Sequence, residues 1–140
     1  MISTLDIIQI IYDELSDSDL VIGTKNGISG ELYKLTRPMG LYKEDVVINC
    51  LPVTNDVLQL ATVNVNIYVP DLHATTGTIQ QYLPDLVRLN TLAALAITAL
   101  NGIYMPGYFF YIASQVVYPE EATHEHFINL RIEFKSINLF

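Results

Sequence analysis

The chain has 140 residues, a mass of 15.7 kDa and a net charge of −8 at pH 7, from 15 acidic and 7 basic residues. This length predicts one domain spanning residues 1–140, and 51% hydrophobic residues with a mean hydropathy of +0.33 exclude a disordered chain. The excess of negative charge argues against broad contact with a nucleic-acid backbone, and the single cysteine, Cys50, cannot form an internal disulfide.

The first half of the chain predicts one helix followed by three strands. Ser3 and Asp6 have the spacing of a capping pair, and apolar residues recur at helical spacing up to about Leu15. A glycine-containing connection follows the helix. Strands are predicted where β-branched or alternating apolar residues lie between turn signals, at residues 31–36, 45–51 and 58–69.

The second half predicts one helix followed by a pair of strands. Residues 75–78 indicate an ordered loop or a short helical turn, and a helix is predicted over residues 85–100. This helix is apolar nearly all round, so we expect it to be covered on more than one side. Residues 108–118 and 127–138 predict an antiparallel hairpin joined by a long polar loop at residues 119–126.

Taken in order, these elements predict an α+β fold. We expect a mostly antiparallel β-sheet with two helices packed on it, in the order α-β-β-β-α-β-β, ending in a long C-terminal β-hairpin. The second helix, together with the strand at residues 108–118, carries more apolar surface than one small sheet can cover. Association of several copies would bury that surface and protect the sheet edges, so we expect a homo-oligomer.

An uncharged stretch between Arg88 and Glu120 raises the alternative of a membrane-associated protein, with Leu89 to Tyr118 as the membrane segment. The middle of this stretch contains Asn101-Gly102 and Pro106-Gly107, turn signals that would leave backbone groups unsatisfied in hydrocarbon. We therefore expect a buried helix followed by a buried strand, and no membrane span.

Potential metal ligands are concentrated in the predicted polar loop, at Glu120, Glu121, His124, Glu125 and His126. On an extended segment His124 and His126 would point to the same side, and Glu120 could complete three zinc ligands in a small metal-dependent enzyme. The alternative is a solvated, mobile loop that contacts a partner. Because no other His or Cys has a fixed spacing to this cluster, we expect the contact loop, with no metal, no other cofactor and no catalytic residues.

Charge is unevenly distributed along the N-terminal part of the chain, where an acidic helix precedes a basic loop that Pro38 and Gly40 hold away from regular pairing. Opposite patches on one subunit suit head-to-tail contacts, which close into rings when the rotation permits, although ordinary surface charge is the alternative. The residues predicted to contact neighbouring subunits or partners are Asp13, Glu14, Asp17, Lys34, Arg37, Lys43, Glu120, Glu121, His124 and His126.

Four segments carry a resemblance to a known family: Leu35-Thr36-Arg37-Pro38, EDVVIN at residues 44–49, VNVNIYV at 63–69 and HFINLRIEF at 126–134. In their order, the chain resembles the tail-terminator (tail-completion) and head–tail joining proteins of tailed bacteriophages. The likeness covers nearly the whole chain and is one of pattern and length. It implies a virion structural protein, assembled in the host cytoplasm, that forms a ring, commonly six-membered, at the head–tail neck.

The same resemblance implies the partners of such a ring. It would cap the tail tube and join it to the head connector, and DNA would pass through it without specific binding. It would have no enzymatic activity.

Overall fold

A computed structural model describes residues 1–22 and 26–137 of the chain. Residues 23–25, within the predicted glycine-containing connection, and Asn138, the predicted end of the last strand, lie outside the described residues. In chain order the elements are α1 (Thr4–Ser16), β1 (Leu32–Lys34), β2 (Asp45–Cys50), β3 (Leu58–Pro70), β4 (Leu72–Thr76), β5 (Ile79–Leu83), α2 (Leu86–Leu100), β6 (Ile103–Met105), β7 (Tyr108–Glu120), a 3₁₀ turn (Glu121–Thr123) and β8 (Glu125–Ile137).

Six strands form one sheet in the order β1-β2-β3-β8-β7-β6. β1 runs parallel to β2, and the other four neighbouring pairs are antiparallel. β8 lies between β3 and β7 and pairs with β3 along its whole length. The predicted α+β class with a mostly antiparallel sheet and a long C-terminal hairpin, formed by β7 and β8, is confirmed.

The first helix begins at the predicted capping pair. The Asp6 N–H donates to Ser3 Oγ at 3.0 Å, and the Ser3 N–H donates to the Asp6 carboxylate at 3.1 Å. The hydrogen bond from the Ser3 backbone is the main cause that lowers the pKa of Asp6. The apolar side of α1 packs against the sheet and is completely buried at Ile7, Ile8, Ile11 and Leu15.

The second helix packs beside α1 on the same face of the sheet. Asp85 caps it, because its carboxylate accepts the Arg88 N–H at 3.2 Å, and Gly102 follows its end in the left-handed conformation with a φ of +67°. The buried residues of α2 are Leu89, Leu92, Ala93, Ala96 and Leu100. Its first turn is not covered, since Leu86 and Val87 are 67% and 76% exposed.

Two predictions about connections are wrong. The loop or short helical turn expected at residues 75–78 is the turn of a hairpin, formed by β4 and β5 as a separate two-stranded sheet. The long polar loop expected at residues 119–126 is only four residues long, Glu121 to His124, because β7 continues to Glu120 and β8 begins at Glu125. The element order accordingly contains three strands, β4, β5 and β6, beyond those predicted.

The face of the sheet away from the helices carries a hydrogen-bonded row of asparagines. Asn64 Nδ2 donates to Asn49 Oδ1 at 3.1 Å, and Asn129 Nδ2 donates to the side-chain oxygens of Asn64 and Asn66 at 3.2 and 2.7 Å. These bonds satisfy amide groups on three adjacent strands.

Across residues 1–22 and 26–137, no helix has the length and apolar character needed to cross a membrane. The stretch from Leu89 to Tyr118 contains most of α2, all of β6 and most of β7. The structure thus has the helix and the strand predicted there, but the expectation that the strand is buried is wrong, because residues 113–119 of β7 are exposed.

Candidate functional site

One side of β7 is unpaired over residues 113–119. β6 pairs only with Tyr108 to Phe110, whereas β8 pairs along the opposite side of β7. In the described chain no strand continues beyond β6 along this side. Residues 113–119 read Ala-Ser-Gln-Val-Val-Tyr-Pro, contain no charged residue and are all exposed. We call this segment the free edge of β7; such an edge offers backbone N–H and C=O groups to a further strand.

A bulge aims two side chains of the free edge toward the helix side of the sheet. The pairing of β7 with β8 shifts between Ile112 and Ser114. After this shift Gln115 lies opposite Leu130 and Val117 lies opposite Ile128, and both partners belong to the buried face of β8. Val117 nevertheless remains 46% exposed because α2 does not cover it.

The space that α2 leaves open is a groove of about 330 Å³ between the helix and the end of β7. We call it the α2–β7 groove. None of its lining residues carries a charge, and Gln115 and Val117 form part of its wall. Its lining comprises Leu86, Leu89, Asn90, Ala93, Ala94, Ile97, Gln115, Val117 and Ile128.

The hairpin of β4 and β5 ends three residues before Leu86, which lines this groove, and we call residues 72–83 the hairpin arm. Its turn consists of Gly77 and Thr78, and only Gly77 has a positive φ, +63°, as a type II′ turn requires. Every arm residue is exposed except Ala74, which is half-buried. The arm contains no acidic residue, lysine or arginine.

All three histidines of the chain lie at the root of the hairpin arm. The Tyr82 ring is stacked between His73 and His124, with ring centroids 4.8 and 3.7 Å apart. His126 Nδ1 lies 2.6 Å from the Asp71 carboxylate, and the Asp71 N–H donates to the His124 carbonyl at 2.9 Å. These contacts fix the arm to the turn between β7 and β8.

The zinc arrangement considered for this turn does not form. His124 has a left-handed backbone with a φ of +54° and lies outside the strands, so it does not share a strand face with His126. Glu120 lies opposite Glu125 at the end of the β7–β8 pairing, and Glu121 is exposed in the 3₁₀ turn. Within residues 1–22 and 26–137, no three Asp, Glu, His or Cys side chains are grouped as metal ligands.

Arg37, predicted as an intersubunit contact, makes its ion pairs within the chain. Its guanidinium lies 2.7 Å from the Glu125 carboxylate, 3.4 Å from the Asp45 carboxylate and 3.8 Å from the centre of the Tyr68 ring. The Asp45 and Glu125 side chains are 0% and 4% exposed. Burial raises the pKa of Tyr68, and the charge of Arg37 opposes that shift. Arg37 therefore positions the loop after β1 on the sheet.

The other predicted charged contacts remain at the surface. Lys34 Nζ donates to Gln9 Oε1 and lies over the Tyr12 ring, so this lysine links β1 to α1. Lys43 is exposed, and the described residues give it no ion-pair partner. The acidic set lies at the end of α1, where Asp13 and Asp17 are exposed and Glu14 is half-buried.

Sequence reasoning did not identify the hairpin arm as a functional element. The available signal was the Gly77-Thr78 pair between two uncharged runs of similar length, which is typical of a tight hairpin. It also missed Asp71 as the partner of His126, because these residues are 55 positions apart.

Comparison of the chain with models of known protein families gives no match, and comparison with curated proteins gives none either.

Proposed function

We propose that this protein is a structural subunit that assembles with further copies of itself into a ring, and that the ring caps the tail tube at the head–tail neck of a tailed bacteriophage. The assembly part of the proposal is supported by the surface of the chain. The phage part is supported by the resemblance in element order and segment pattern described above.

The free edge of β7 is the observation that carries the assembly proposal. Val116, Val117 and Tyr118 are 42–47% exposed along it. Burying these side chains and pairing the edge would favour association.

The charge of the chain is compatible with the proposed neck position. The chain carries 15 acidic residues and 7 basic residues, so a ring of several copies would be strongly negative. A negative ring would repel the phosphate backbone of DNA passing through it.

The assembly proposal is tested by sedimentation and native mass measurement over a range of concentrations. We expect particles several times heavier than the 15.7 kDa chain, with a ring in electron micrographs. Gln115→Lys places a charge within the free edge and should lower the association constant by about tenfold or more, because the charge would be buried without a partner. Thr98→Lys, on the exposed side of α2, is the matched control and should assemble normally.

The phage part is tested separately by mixing the protein with purified phage tail tubes. We expect the protein to bind at one end of each tube and to stop its further growth. A chain that stays monomeric when concentrated and when mixed with tubes would contradict both parts of the proposal. Rings that form but do not bind the tubes would contradict only the phage part.

A further inference from the structure

We propose that the hairpin arm of one copy lies in the α2–β7 groove of the next copy and pairs with its free edge. This inference rests on the proposed assembly and specifies which surfaces meet. The proposed occupant of the groove is a second copy of this chain.

The hairpin arm has one face turned toward its own subunit and one turned away. Residues that lie directly opposite in the hairpin, or two apart along a strand, share a face. His73 and Tyr82 therefore share the inner face, where Tyr82 stacks on His124. The outer face carries Leu72, Ala74, Thr76, Ile79, Gln81 and Leu83.

The outer face exposes three large apolar side chains in the single chain. Leu72, Ile79 and Leu83 are 53%, 60% and 48% exposed. No arm residue lines the groove of the same chain, so that groove is not the partner of this face. A two-stranded hairpin by itself is marginally stable in water, and a second contact on its outer face would stabilise it.

The arm and the α2–β7 groove both lack charged side chains. The chain has 22 Asp, Glu, Lys and Arg residues in total, yet none lies in the hairpin arm or in the lining of the groove. An uncharged arm entering an uncharged groove leaves no buried charge without a partner. A charged peptide would not find a counter-charge there.

The dimensions of the two surfaces also match. Each arm strand has five residues and spans about 17 Å, whereas the seven residues of the free edge span about 24 Å at the usual strand rise. One strand of the arm can therefore pair along the free edge. The apolar side chains of that strand can then enter the groove beside the edge.

The arrangement is head-to-tail, because the arm and the groove are different surfaces of one chain. Repeating such a contact generates a ring when the rotation closes. The contacts at the arm root, from Asp71, Tyr82, His124 and His126, fix the direction of the arm before association. A fixed arm loses less conformational freedom on binding than a flexible one.

A disulfide trap between two differently labelled copies tests the inference. In a Cys50→Ser background, which removes the only native cysteine, one copy carries Ile79→Cys and the other carries Val117→Cys. Mixing and mild oxidation should give covalent heterodimers, because a disulfide forms only when the two Cβ atoms come within about 4.5 Å. The control pairs Ile79→Cys with Thr98→Cys, which is exposed on α2 outside the groove, and should trap at least about tenfold less.

A second measurement does not depend on oxidation. Ile79→Lys on the outer face should lower the association constant by about tenfold or more, whereas Thr75→Lys, on the inner face of the same arm, should change it by less than about threefold. Both positions are exposed, so both variants should fold.

The outcomes separate this inference from the proposed function. If oligomers form but Ile79→Cys cross-links to Val117→Cys no more than to Thr98→Cys, the arm contact is wrong and the assembly proposal still holds. Equal effects of Ile79→Lys and Thr75→Lys would lead to the same conclusion. Monomers at every concentration would overturn both.

Discussion

Replacing Arg37 by Met should destabilise the folded chain strongly, because it removes the cation beside two buried carboxylates. Asp45 and Glu125 would keep their burial, at 0% and 4% exposure, without the guanidinium 3.4 and 2.7 Å away. Breaking a buried pair by removing one partner costs about 3–5 kcal/mol. Because Met retains an apolar contact with Tyr68, we expect the free energy of unfolding to fall by an amount within this range and no more. With an m-value of about 2 kcal/mol/M, the urea midpoint would fall by about 2 M.

Two comparisons isolate the charge effect. Lys43→Met removes an exposed cation from the same loop and should change the free energy of unfolding by less than about 0.5 kcal/mol. In a background carrying Asp45→Asn and Glu125→Gln, Arg37→Met should cost much less, since no carboxylate is left unpaired. A loss below about 1 kcal/mol in the native background, or an equal loss in both backgrounds, would refute the reasoning.

Three further predictions concern local features of the fold. Gly30→Ala should lower the free energy of unfolding by about 1–3 kcal/mol in urea titrations, because its Cβ would lie 1.9 Å from Asp45 Oδ1; an unchanged midpoint would contradict this packing. Ser3→Ala should cost about 1 kcal/mol at pH 7 by loss of the helix cap. The folded-state pKa of Asp6 is lowered from 3.8 chiefly by the Ser3 backbone N–H, which Ser3→Ala keeps. The carboxylate's contribution is present above that pH and is lost as the pH falls through the folded value in both proteins, so most of the cost of Ser3→Ala should persist in acid. Burial raises the pKa of Cys50, so iodoacetamide should alkylate it more slowly in the folded chain than in urea at pH 8, and equal rates would argue against that burial.

Much of the fold could be predicted because its main elements carry strong periodic patterns. β3 alternates between buried and more exposed residues over its 13 positions, β8 does so from Phe127 to Ile137, and both long helices begin at a capping residue. The arm strands lack this signal, since nearly all of their side chains are exposed and alternation reflects burial. β1 and β6 have three residues each, too few to show a period.

The candidate site was less predictable because its residues meet through distant pairing. Arg37 could be singled out in its loop, but Glu125 lies 88 positions away and was assigned to a polar cluster instead. The strand-face argument for His124 and His126 assumed extended backbone at both, and His124 is left-handed. The uncharged composition of residues 113–119 is visible in the sequence, whereas its free side follows only from the short pairing of β6.

The central position of β8 sets the order in which this sheet can form during folding. Its contacts with β3 join residues separated by 55 positions, for Pro70 and Glu125, to 79 positions, for Leu58 and Ile137. Closing loops of this length is entropically costly, and folds dominated by such pairings reach the native state slowly. Until residues 125–137 insert, both β3 and β7 keep unpaired sides in the nascent chain. We therefore expect newly made chains to depend on chaperones or low temperature to avoid aggregation before this strand is in place.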